Sequence, residues 1–185
     1  RDAKGELLAG GEGPAESFMH LEIDRQADDA ALRSVEKAIA SAFADVRESV
    51  ADWQEMRDKM VRIADAMATE QMPASAEVRA ESQAFLRWAA DNHFTFLGYR
   101  EYEVGDRDGQ RMLCRVEGTG LGLMRGKDAK AAPRPLTGLA ASVLPPGATM
   151  DPLILTKTNA RSTVHRPGYM DYIGVLQFDA NGRAI

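Results

Sequence analysis

The densest grouping of side chains able to do chemistry lies late in the chain: Lys157, Arg161, Ser162, Thr163, His165 and Arg166, closing with Pro167-Gly168-Tyr169. Cationic and hydroxyl groups concentrated at a strand turn suit a carboxylate or phosphate, because planar guanidinium forks donate two parallel hydrogen bonds to such anions. These six residues are the candidate binding site for a small anionic effector. The competing reading makes them surface charges and interdomain salt bridges.

A second feature is Gly118-Thr119-Gly120-Leu121-Gly122. Closely spaced glycines let backbone N–H groups approach an anion. A dinucleotide fingerprint would need a third glycine at 123 or 125, where Leu123 and Arg125 stand, and no Lys-Ser or Lys-Thr follows in the P-loop place. A tight turn or bulge is the simpler expectation.

The three histidines, His20, His93 and His165, are far apart and lack Cys or carboxylate partners at zinc-site spacing, so no metal site is assigned. Cys114 sits between Leu113 and Arg115 like a buried small hydrophobe, with no base to activate it. As the single cysteine, it excludes an internal disulfide, consistent with a reducing, cytoplasmic setting. The carboxylates of the first half are spread as a solvated face, and no acid/base pair stands out. No catalytic residue is assigned.

The elements that must position these groups follow from pattern. Between Pro14 and Pro73 there is neither glycine nor proline, so regular structure should fill the interval. Met19, Leu21 and Ile23 alternate with polar neighbours, which predicts a strand over residues 16–24. Asp28 and Asp29 can cap a helix whose apolar residues Leu32, Ile39, Val46, Trp53, Met60 and Met67 recur every seven positions. A single helix over 29–71 would be on the order of 60 Å long. Either it connects two subdomains or it breaks near Ala51 to Trp53.

A shorter helix is predicted over 76–92. Strands are then expected over 94–104 and 110–117 around a turn at 105–109, and over 152–158, 162–165 and 170–179, with a short helix within 136–143. Asn181-Gly182 reads as another turn, so a further strand is expected beyond it. The fold class is therefore α+β: long helices, then a mostly antiparallel sheet.

The net charge of −5 divides into −8 up to His93 and +3 after it, too weak a basic field to argue for nucleic acid. The apolar runs are far shorter than a membrane span, and the first residues lack a signal-peptide core.

Three runs carry a family resemblance: residues 161–175 (RSTVHRPGYMDYIGV), 94–102 (FTFLGYREY) and 17–26 (SFMHLEIDRQ). In that order they resemble the N-terminal region of the large bacterial NAD-specific glutamate dehydrogenases, where ACT-type and PAS-type modules precede the catalytic domain. The resemblance implies that residues 1–14 are loop, 15–53 the closing strand and helix of an ACT-like module, 54–92 a helical linker, and 93–185 a PAS-like module.

It further implies a non-catalytic regulatory or oligomerisation role. NAD and the oxidation of L-glutamate would be confined to a later domain, and the partners would be other domains and subunits of the same enzyme. The alternative is a small-ligand sensor, which predicts a pocket lined by Phe96, Met112 and Ile154.

Overall fold

The computed structural model describes residues 18–126, 132–135, 149–179, 181, 184 and 185. The loop expected over 1–14 and the short helix expected within 136–143 lie outside them. The chain divides into two compact units, Arg1–Lys37 and Ala38–Ile185.

In the first unit, residues 18–28 carry neither helix nor strand. This corrects the expectation of a strand there. Period-two alternation makes a strand only when another strand supplies a hydrogen-bonding ladder, and among the described residues none pairs with this segment. Phe18, Met19, Leu21 and Ile23 are each more than half exposed.

Helix α1 spans Asp29–Ala51; the amide of Ala30 donates to the Asp28 carboxylate at 2.9 Å, as the capping pattern required. The heptad run does break. Asp52 leaves helical geometry (φ −113°, ψ 5°) and α2 begins at Trp53, running to Ala66. After Pro73, Ser75 caps α3 (Ala76–Trp88) by accepting from the Val78 amide. The chain leaves through a single π-helical turn, Ala89–His93. Asn92 there takes φ 60°, the left-handed geometry that ends helices, and His93 Nδ1 lies 2.9 Å from the Trp88 carbonyl.

Among the described residues all strand pairs are antiparallel. β1 (Gly98–Tyr99) pairs with β4 (Leu121–Gly122); β2 (Tyr102–Arg107) pairs with β3 (Gln110–Arg115), which also pairs with β5 (Arg134–Pro135). The long strands β6 (Leu153–Arg161) and β7 (Tyr169–Val175) form a separate hairpin. The β2–β3 connection is tighter than expected: Arg107 opposes Gln110, leaving Asp108 and Gly109, both at positive φ, as a two-residue turn that matches strand twist. The strand expected over 94–104 divides in two, and the one expected over 162–165 is absent. Residues 162–168 turn instead, closed by Ser162 N–H donating to the Gly168 carbonyl at 2.8 Å.

The core joins helices to the last hairpin. Ala64, Met67 and Leu86 are almost fully buried, with Met60, Ile63, Phe85, Leu153, Ile173 and Val175 packed around them. The mixed helical and antiparallel content makes the chain α+β, as the pattern predicted. No helix among the described residues is long and apolar enough to cross a membrane.

Candidate functional site

Of the six candidate anion-binding residues, Lys157 and Arg161 lie on β6, and Ser162, Thr163, His165 and Arg166 follow in the turn to β7. Lys157 Nζ lies 2.5 Å from the Asp171 carboxylate directly across the hairpin. The Arg161 guanidinium sits 5.8 Å above the Tyr169 ring. Ser162 Oγ donates to the Val164 carbonyl at 2.6 Å, and Thr163 Oγ1 donates to Asp45 of α1 at 2.6 Å. His165 holds a left-handed conformation at φ 63°. His165 and Arg166 are exposed. Lys157, Thr158, Asn159 and Tyr169 line a shallow, open depression of about 320 Å³.

The glycine-rich loop has an anion after all, and it is internal. The Gly122 amide donates to Asp52 Oδ2 at 2.8 Å, and Arg125 adds Nε to the same oxygen at 3.1 Å and Nη2 to the other. Asp52 is only 5% exposed. The Gly122 hydrogen bond holds its carboxyl below the usual range despite burial, with Arg125 assisting.

The loop's shape depends on glycine. Gly122 has φ +57°, and a Cβ there would fall 2.5 Å from the Leu97 carbonyl oxygen. Sequence reasoning found this loop as a turn but missed its partner, because Asp52 looked like one more carboxylate on a solvated face. The helix break beside it was the usable signal.

A second clasp ties α2 to the strands. Glu101 Oε1 accepts from Lys59 Nζ at 2.9 Å and from the Tyr99 hydroxyl at 2.8 Å, while the Lys59 ammonium lies 4.8 Å from the Tyr99 ring centre. Lys59 draws the Glu101 carboxyl down. Burial, reinforced by Glu101, pushes the Tyr99 phenol up.

These polar contacts reveal how α1 is oriented in the second unit. Asp45 meets Thr163, Ser49 is buried and bonds back to the Asp45 carbonyl, and Asp52 meets the glycine loop. The polar stripe therefore faces inward. Ile39, Phe43, Val46, Val50 and Trp53, spaced four-three-four-three as in a coiled-coil seam, remain 38–61% exposed. A water-facing helix normally shows the opposite arrangement. Such a contiguous exposed apolar stripe is uncommon on a monomeric soluble surface.

Among the described residues no group of three His, Cys, Asp or Glu could hold a metal ion. No protein-family model matches the chain. It is 38% identical over 197 residues to the NAD-specific glutamate dehydrogenase of Pseudomonas aeruginosa, an alignment covering 100% of this chain and 12% of that protein. The enzyme of the same name from Halomonas elongata is 31% identical over 174 residues (92% of this chain, 11% of that protein). That from Mycobacterium tuberculosis is 28% identical over 135 residues (69% and 8%). The chain thus spans 8–12% of the length of these curated relatives.

Proposed function

We propose, from the premise that this chain belongs to the large NAD-specific glutamate dehydrogenase family and corresponds to its N-terminal region, that it is a non-catalytic regulatory and assembly segment of such an enzyme. In the parent protein, L-glutamate, water and NAD+ are converted to 2-oxoglutarate, ammonium, NADH and a proton by a domain outside this chain, in the cytoplasm. Residues 15–53 act as the closing part of an ACT-like module, 54–92 as a helical linker and 93–185 as a PAS-like module.

The observation that carries this reading is the inward-turned polar stripe of α1. Covering the half-exposed Ile39, Phe43, Val46, Val50 and Trp53 stabilises the assembly by on the order of 1 kcal/mol per side chain, and the covering surface comes from other domains or subunits of the same enzyme. Replacing Phe43 and Val50 together by Glu in the full-length dehydrogenase tests it. The expected result is weaker subunit assembly and a lower melting temperature, with little change in the melting of the isolated chain. Unchanged assembly would refute the proposal.

The open depression beside Lys157 favours a second reading, recognition of a small anion by Lys157, Arg161, Ser162, Thr163, His165 and Arg166. Calorimetric titration with glutamate, 2-oxoglutarate and phosphate discriminates the two. Saturable heat lost in Lys157→Gln supports sensing, and the absence of heat with every anion removes it.

A further inference from the structure

We infer that residues 51–53 form a two-state hinge, latched in its broken form by the Asp52 carboxylate seated in the Gly118–Arg125 loop. The sequence around the break is written for an unbroken helix. Val46, Trp53 and Met60 keep seven-residue spacing on one face, and Ser49, Met56 and Ile63 keep it on another. Neither glycine nor proline occurs between Pro14 and Pro73, and Ala51 is the best of helix formers. Helix breaks ordinarily trace to Pro, Gly or an inserted group, so the cause here is tertiary.

Asp52 supplies it. An aspartate at the start of a helix normally accepts from the second or third amide of that helix. Here the side chain makes no such cap and accepts from Gly122 and Arg125 instead. The receiving loop is held by its own hydrogen bonds. Leu123 N–H donates to Leu97 O at 2.8 Å, Arg125 N–H to Gly122 O at 2.9 Å, and Arg100 Nη2 to Met124 O at 2.6 Å. Since Gly122 abuts the Leu97 carbonyl, the loop cannot follow the helix, and the helix must bend to the loop. Releasing the carboxylate removes the contact that draws residue 52 out of helical geometry. The two helices then merge, and the apolar stripe of α1 moves relative to the sheets.

Spin labels at Ala40→Cys and Asp58→Cys, in a Cys114→Ser background of the full 185-residue chain, read the hinge as an electron–electron distance. Asp52→Asn keeps size and poor helix propensity while losing the charge. Arg125→Met removes the other half of the latch at a half-exposed site, so folding is retained. Both variants are expected to shift the distance toward the roughly 27 Å of eighteen residues in one straight helix. Circular dichroism verifies that each variant is folded. Either folded variant keeping the wild-type distance overturns the inference, and a variant that unfolds is replaced by Arg125→Gln under the same criterion.

Discussion

Gly122 donates its amide to the carboxylate of Asp52 at 2.8 Å, across seventy residues of sequence. One hydrogen bond thus connects the break between two helices to the left-handed residue that ends β4. A loop that sequence alone could suggest for a nucleotide phosphate is occupied by the protein's own anion.

Losing that acceptor strands a buried amide, which costs about 1–3 kcal/mol. Asp52→Ala is therefore expected to lower stability by this amount in urea titration, whereas Asp58→Ala, at an exposed ion pair, changes it by less than about 0.5 kcal/mol.

Two glycines at positive φ should respond differently to alanine. A Cβ at Gly122 meets the Leu97 carbonyl, whereas one at Gly109 meets nothing within 4 Å. Gly109→Ala carries only the cost of the left-handed backbone, about 1–2 kcal/mol. Gly122→Ala adds a backbone clash and is expected to exceed it by at least about 1 kcal/mol in the same thermal melts.

Acid should weaken the fold through two carboxylates. Asp52 and Glu101 have folded-state values below their ordinary ones. The stability they contribute is present above the unfolded values, near pH 4, and disappears as pH falls through the lower folded ones. Denaturant midpoints measured from pH 6 to pH 2 are expected to fall, with a shallower slope in Asp52→Asn. Tyr99 acts in the opposite sense: its raised value means stability is intact below about pH 10 and declines above it.

How much of this was legible follows from which forces are local. The hairpin turn, expected over 105–109 and found at Asp108-Gly109, and the helix expected over 76–92, found as α3, are set by residues within a few positions of one another, and pattern reading placed both approximately. The expected strand at 16–24 failed because alternation specifies a face and not a partner. The sequence also left the continuity of 29–71 undecided, since nothing near Asp52 discloses a ligand at Gly122.

The candidate anion residues stand on and just after β6, and their partners were not legible: Lys157 faces Asp171 and Thr163 reaches Asp45, pairings that depend on hairpin register and on the placement of α1. The apolar stripe through Ile39, Val46 and Trp53 was visible as a heptad, but its spacing alone does not say whether it faces the core of this chain or a partner. Only the three polar contacts at Asp45, Ser49 and Asp52 show that it faces out.

Carbene footprinting of residues 39–53 tests the central claim most directly, comparing the isolated chain with the full-length dehydrogenase. The account predicts heavy labelling of Phe43, Val46 and Val50 in the isolated chain and strong protection in the complete enzyme. Equal labelling in both would contradict it.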